Sequence, residues 1–148
     1  MRLLLQRVSR AEVRVDGAVV GSIGPGLVVL LGIGPGDDQA VTEAMARRVT
    51  ELRIFEDEAG RTNLALPDMG GQILVVSQFT LYADTRRGRR PGFGAAAAPD
   101  LAERLYARFV GALLELGITV ATGRFGASME LELVNYGPFT IWLDSDEL

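Results

Sequence analysis

Two short polar segments hold the residues most able to do chemistry. Ser77–Leu81 (SQFTL) follows an apolar stretch and offers two hydroxyls and an amide. These groups either bond the local backbone where a strand ends or converge with main-chain N–H groups on a substrate. Asn135–Thr140 (NYGPFT) contains a Gly-Pro pair, where a cis peptide bond is energetically accessible and the backbone can approach a ligand closely. On residue types alone, this second segment is equally well a tight turn between the last two strands.

The residues that are absent exclude most hydrolytic machinery. The 148 residues contain no histidine and no cysteine, which rules out Ser-His-Asp triads, Cys-His dyads, imidazole zinc sites and disulfides. Acidic pairs such as Asp37/Asp38 lie in polar turns without calcium-loop spacing. The sequence GIGPGDD at 32–38 lacks the last glycine of a dinucleotide loop, and its proline removes an N–H donor. No metal and no other cofactor is predicted.

Charge is unevenly distributed along the chain. A net charge of −4 argues against a generally basic nucleic-acid binder. However, four arginines without an intervening acid form a local basic run at Arg86, Arg87, Arg89 and Arg90. This run is either a solvated loop or a local contact to a phosphate backbone. No apolar run reaches the length of a membrane span and charges interrupt the N-terminal segment, so we expect a cytoplasmic protein without membrane association.

Hydrophobic periodicity predicts a strand-rich chain with two helices. The first helix begins at an N-cap of Asp37 or Asp38 and runs through Val49, and the second runs from Pro99 to a C-terminal stop at Gly117. Because βαβ alternation is missing, the order favours an α+β fold. We expect a single domain over 1–148, a curled antiparallel or mixed sheet or barrel with two main helices packed on it. The predicted strands are 2–8, 11–15, 18–23, 27–33, 53–55, 72–77, 118–122, 129–134 and 139–143, with 56–67 as a polar excursion and 84–98 as a loop.

The two segments, taken in order, resemble the D-aminoacyl-tRNA deacylase family. That family carries SQFTL near the middle and NxGPxT near the C-terminus. The resemblance extends to the flanks MRLLLQRVSRAEVRVDG, RRGRRPGF…AAAP and FGASMELELVN, and so covers nearly the whole chain. It implies the family's fold and a homodimeric hydrolase with its active site at the subunit interface. The implied reaction cleaves the ester between a D-amino acid and the 3′ end of tRNA, with glycyl-tRNA as a further substrate.

The resemblance also implies roles for individual residues. A cis Gly137-Pro138 bond would project its carbonyls into the partner subunit's site and reject L-amino acids, while the 2′-OH of the RNA would help to activate water. Thr80 has no visible base to activate it, so a positioning role is favoured over a nucleophilic one. The alternative is a non-catalytic tRNA-binding dimer of the same fold. Phe139 stands where the family usually has valine. The implied catalytic residues are Ser77, Gln78, Phe79 and Thr80, and the implied substrate-binding residues are Asn135 and Thr140. The implied tRNA contacts are Arg86, Arg87, Arg89, Arg90 and Phe93. Phe93 either stacks on the terminal adenine or fills the core.

Overall fold

A computed structural model describes residues 1–148. It contains a six-stranded mixed sheet, a two-stranded hairpin and two helices. The strands are β1 (Arg2–Val15), β2 (Ala18–Ile23), β3 (Gly26–Gly32), β4 (Phe55–Glu56), β5 (Thr62–Leu64), β6 (Gln72–Ser77), β7 (Thr119–Thr122) and β8 (Glu130–Asp144), and the helices are α1 (Gln39–Glu51) and α2 (Pro99–Glu115).

The sheet curls because its first strand is long enough to pair with three neighbours. The first half of β1 pairs antiparallel with β3 and its second half with β2, while β8 runs antiparallel along the opposite edge of both halves. β6 and β7 continue the sheet in parallel beyond β3. β2 then lies close to β7, which leaves a nearly closed barrel. The predicted architecture, a curled mixed sheet carrying two helices, is confirmed.

Side chains that alternate along the strands supply two cores. On the helix side, Leu5, Val29 and Ile73 pack with Phe109 of α2 and Met45 of α1. The opposite face of the same strands lines the inside of the barrel. The buried residues of that inner cluster are Val8, Ala11, Val13, Ile23, Val28, Leu74 and Val76. Both faces of β3 and β6 are therefore covered, which is the usual environment of parallel strands.

The helix boundaries follow their capping residues. Asp38 is the N-cap of α1, because its carboxylate accepts a hydrogen bond from the Val41 N–H at 2.9 Å. Asp37 instead accepts from the Gly34 N–H at 2.7 Å. α2 begins at Pro99, where a missing N–H costs no helical bond. It ends just before Gly117, whose φ of +79° suits glycine. Neither helix is long and apolar enough to cross a membrane.

Three strand predictions need correction. β1 is continuous, because its residues between 8 and 11 stay in the sheet with β8 as their neighbour. The predicted excursion 56–67 contains half of a hairpin, in which β4 pairs with β5. The last two predicted strands are one strand, β8, and the segment Asn135–Thr140 is a bulge within it rather than a turn. Pairing with β1 resumes on both sides of this bulge, which the local sequence alone does not reveal.

Candidate functional site

The first motif forms a short helical turn at the end of a buried parallel strand. β6 ends at Ser77, and Phe79–Tyr82 form a 3₁₀ turn directly after it. The Gln78 N–H donates to the Leu31 carbonyl of β3 at 2.8 Å, which fixes where the turn starts. The Gln78 side-chain amide donates to the Thr80 hydroxyl. In such a turn the first N–H groups, here those of Phe79 and Thr80, have no partner within the turn itself.

This turn forms one edge of a mostly apolar cavity of about 540 Å³. Of its 16 lining residues 12 are hydrophobic, and the 16 come from β3, β6 and the residues after each of them, from the segment 93–97, the start of α2, the segment before β8 and the start of β8. Ser77, Gln78 and Phe79 line the cavity, whereas Thr80 is exposed beside it. Phe93 also lines it and meets Phe79 edge-on, with ring centroids 4.9 Å apart. Since Phe93 is 36% exposed, it lies on the surface of the cavity and does not fill the core.

The second motif is a bulge braced by its own side chains. The Gly137–Pro138 peptide bond is cis, and Gly137 has a φ of +124°. The Asn135 side chain accepts from the Phe139 N–H at 3.0 Å and donates to the Thr140 hydroxyl at 2.9 Å. Asn135 and Thr140 therefore hold the two ends of the bulge together, which fixes the backbone of Gly137 and Pro138.

Arg7 supports the bulge from beneath, although neither sequence motif includes this residue. Only 5% of Arg7 is exposed. Its Nε donates to the Tyr136 carbonyl at 3.0 Å and its Nη1 to the Ile54 carbonyl at 2.7 Å. The guanidinium also lies 4.8 Å from the centre of the Phe139 ring, so the aromatic side chain at 139 stacks on a cation. Periodicity could have revealed it, because Arg7 falls on the alternating buried face of β1 after Leu3 and Leu5.

Within one chain the two motifs do not share a cavity. No residue of Asn135–Thr140 lines the cavity beside Ser77. β8 pairs only with β1, so its outer edge is open along the strand. β8 also carries exposed large aromatic side chains, with Tyr136 54% and Trp142 43% accessible. A single chain thus leaves the predicted site divided between two places.

The arginine run forms a closed loop next to the cavity. Asp84 and Gly92 form an antiparallel bridge at its base, with N–H···O distances of 2.7 and 2.9 Å. Arg86 donates to both oxygens of Asp84, at 2.9 and 2.8 Å, and thereby holds the pKa of that carboxyl well below its usual range. The other three arginines, Arg87, Arg89 and Arg90, are exposed and form no ion pair. They leave three free cations at the loop tip.

No group of three or more acidic side chains lies close enough together to hold a metal ion. The cavity is lined or flanked by the hydroxyl, amide and main-chain groups of the segment Ser77–Thr80. Such a site can orient an already reactive carbonyl compound and stabilise a developing oxyanion. The fold and the site together define a two-helix β-barrel protein whose candidate catalytic groups are largely main-chain.

Comparisons with known proteins agree with this class. The family model described as D-Tyr-tRNA(Tyr) deacylase matches residues 4–144. A protein named D-aminoacyl-tRNA deacylase from Symbiobacterium thermophilum is 57% identical over 99% of this chain and 97% of its own length. A protein of the same name from Thermomicrobium roseum is 59% identical over 100% of this chain and 96% of its own length. The chain belongs to the D-Tyr-tRNA(Tyr) deacylase family.

Solved structures show the same architecture. A c-Myc DNA unwinding element binding protein superimposes with a TM-score of 0.91 at 39% identity, covering 97% of this chain and 98% of its own. A eukaryotic protein described as a probable D-amino acid tRNA deacylase superimposes with a TM-score of 0.85 over 96% of this chain and 97% of its own. That second protein is 20% identical, so its likeness concerns the fold alone.

Proposed function

We propose that the protein hydrolyses the ester bond of D-aminoacyl-tRNA, and also of glycyl-tRNA, to free amino acid and tRNA. The observation that carries the proposal is the position of the SQFT turn on the edge of the apolar cavity in a chain that matches the deacylase family over residues 4–144. An aminoacyl ester is already activated, so positioning and oxyanion stabilisation are sufficient to accelerate its hydrolysis.

The chemical step divides between the protein and the RNA. Water adds to the ester carbonyl carbon, assisted by the vicinal 2′-OH of the terminal ribose, and the negative charge develops on the carbonyl oxygen. The N–H groups of Phe79 and Thr80 stabilise that oxygen, with Ser77 and Gln78 lining the same edge. The ester bond then breaks, and the ribose oxygen leaves with a proton. The Thr80 hydroxyl is held by Gln78 and has a positioning role.

A second copy of the chain supplies the chiral filter in this proposal. Supporting this, the Gly137-Pro138 segment lies outside the cavity of its own chain, and β8 presents an open edge with exposed Tyr136 and Trp142. A homodimer that brings the bulge of one subunit over the cavity of the other would complete the site. The rigid carbonyls would then collide with an L side chain, accept a D side chain and admit glycine.

The tRNA end approaches over the basic loop. Arg87, Arg89 and Arg90 are free to contact phosphates, Arg86 shapes the loop through Asp84, and the exposed part of Phe93 would stack on the terminal adenine. Asn135 and Thr140 contribute to substrate binding by holding the bulge. The protein would carry out this editing in the cytoplasm.

The first test is deacylation of matched charged tRNAs. D-Tyr-tRNA and Gly-tRNA should lose their amino acid while L-Tyr-tRNA stays intact, with no effect of a chelator. Phe79→Pro removes one N–H at the first position of the turn, where proline is tolerated. It should lower kcat by about 100- to 1,000-fold. Phe79→Leu, which keeps the N–H, is the matched control. Equal rates for the two variants would refute the main-chain oxyanion site.

The second test is subunit complementation. If the site is shared, Phe79→Pro and Gly137→Ala place their defects in the same site of a mixed dimer and leave the other site intact. Random mixing of the two chains should restore about a quarter of wild-type activity. No recovery after verified subunit exchange would refute the shared site, because motifs that act together within one chain leave neither site of the mixed dimer intact.

One alternative has a specific observation in its favour. The structural relative at 39% identity is described as a DNA-element binding protein, so a non-catalytic dimer that binds nucleic acid is a second candidate. Binding of D-Tyr-tRNA without release of D-tyrosine under the same conditions would favour this candidate over the deacylase.

A further inference from the structure

Arg2 connects the end of β8 to the 3₁₀ turn that carries the first motif. Its Nε lies 2.9 Å from the Asp144 carboxylate, and its Nη1 donates to the Leu81 carbonyl at 3.1 Å. The guanidinium also lies over the Tyr82 ring, 4.4 Å from the centroid. We propose that Arg2 is a positioning residue that holds the Phe79–Tyr82 turn in the geometry needed for hydrolysis; this inference rests on the proposed function.

The turn depends on such a support because its own bonds are few. The N–H···O contacts at its two ends run from Leu81 to Gln78 at 3.2 Å and from Ala83 to Thr80 at 3.0 Å. Turns of this type have poorer hydrogen-bond geometry than an α-helix, and their last carbonyls lack partners within the turn. Arg2 bonds one of those carbonyls, immediately after Thr80. A shift of Leu81 would therefore move the N–H groups that the proposed mechanism uses.

The partners of Arg2 are themselves fixed. Asp144 is buried, and its second oxygen accepts from the Asp146 N–H at 3.2 Å. Tyr82 packs against Gly34, where an added Cβ would lie 2.7 Å from the phenol oxygen. Burial and the nearby Asp37 raise the pKa of Tyr82, so the ring stays neutral under the cation. The Asp144 carboxylate and the Tyr82 ring together orient the guanidinium so that its Nη1 donates to the Leu81 carbonyl.

Lysine could replace only part of this arrangement. An ammonium group at position 2 can pair with Asp144, but it cannot at the same time stack flat on Tyr82 and bond the Leu81 carbonyl through a planar fork. Arg2→Lys therefore separates the ion pair from the support of the turn. Arg10→Lys is the matched control, because Arg10 also lies on β1 and pairs with β8 through Glu132 at 2.7 Å, on an exposed surface.

The experiment compares these two variants with the wild-type enzyme on D-Tyr-tRNA. Arg2→Lys should lower kcat by about 10- to 100-fold, because small displacements of catalytic groups are costly. KM should change by less than about twofold, since the cavity walls and the basic loop are untouched. Tm should fall by no more than about 4 °C. Arg10→Lys should match wild type in all three quantities.

Amide hydrogen exchange gives a readout that does not depend on turnover. Exchange at Leu81 and Ala83 should accelerate in Arg2→Lys by about 10-fold or more while the α2 amides keep their protection. Wild-type kcat in Arg2→Lys, or unchanged exchange at these two amides, would overturn the inference. If the wild-type protein does not deacylate D-Tyr-tRNA, the proposed function is refuted. The exchange measurement would still decide whether Arg2 holds the turn.

Discussion

Replacing Gly137 by alanine tests the bulge most directly. A Cβ at this position would lie 2.6 Å from Nη2 of Arg7 and 3.3 Å from the Phe139 nitrogen. Arg7 cannot move away freely, because it is buried and two of its nitrogens bond the Tyr136 and Ile54 carbonyls. The φ of +124° is a second obstacle, since side-chain-bearing residues rarely adopt it.

The magnitude follows from these two contributions. The unfavourable backbone conformation costs about 1–3 kcal/mol. Losing one Arg7 bond leaves a carbonyl without its partner, at about 1–3 kcal/mol more. A total of about 4 kcal/mol, the middle of the summed range, corresponds to a fall in Tm of roughly 8–16 °C for a chain of this length. Thermal unfolding followed by circular dichroism measures this shift.

Activity should fall further than stability alone explains. A displacement of the bulge by about 1 Å would lower kcat/KM on D-Tyr-tRNA by about 100-fold at a temperature where the variant is folded. The ratio of D- to L-Tyr-tRNA hydrolysis should fall as well, because the backbone that excludes L side chains has moved. Ser77→Ala should have a milder effect on this ratio, since it removes a hydroxyl and leaves the backbone in place.

Gly36→Ala is the matched control. No atom lies within 4 Å of a Cβ added at Gly36, and its φ is outside the left-handed region. This variant should keep the wild-type Tm, rate and chirality. If Gly137→Ala and Gly36→Ala behaved alike, the tight packing of the bulge on Arg7 would have no functional consequence, and the main-chain selector would be refuted.

Three other perturbations test the core, the charged surface and the basic loop. Phe109→Ala removes a fully buried ring and should cost about 3–5 kcal/mol, seen as a lower denaturation midpoint with unchanged m-value. A hydrogen bond from Arg10 lowers the pKa of Glu132. The stability that this pair contributes is therefore present above the ordinary carboxyl pKa and is lost as the pH falls through the lowered pKa. The Tm of Arg10→Gln should drop less on acidification than the Tm of wild type. Replacing Arg89 by glutamine should reduce the salt dependence of tRNA binding by a slope of about 0.7, whereas a slope equal to that of wild type would remove this residue from the RNA contact.

The elements that were predicted correctly are those decided by local sequence. α1 has an acidic N-cap and α2 has a proline start and a glycine stop, and each signal acts within one turn of the helix it limits. β3 and β6 are apolar runs between turn residues. The segment Asn135–Thr140 was different, because a Gly-Pro pair between two strand-like runs is compatible with a turn or a bulge. Pairing with β1, more than a hundred residues earlier in the chain, decides between them.

The contacts of Arg7 on β1 likewise depend on residues far away in the sequence. Arg7 interrupts an apolar alternation, and a charged residue on a buried face needs partners, yet the sequence does not say that those partners are the carbonyls of Tyr136 and Ile54. One of these carbonyls belongs to the bulge and the other to the segment before β4. Arg7 therefore fixes the position of the bulge from the buried side, where it is almost inaccessible to a substrate. Substitutions that alter chiral selection are for this reason expected at Arg7 and its partners as well as in the cavity, and a search confined to cavity-lining residues would miss them.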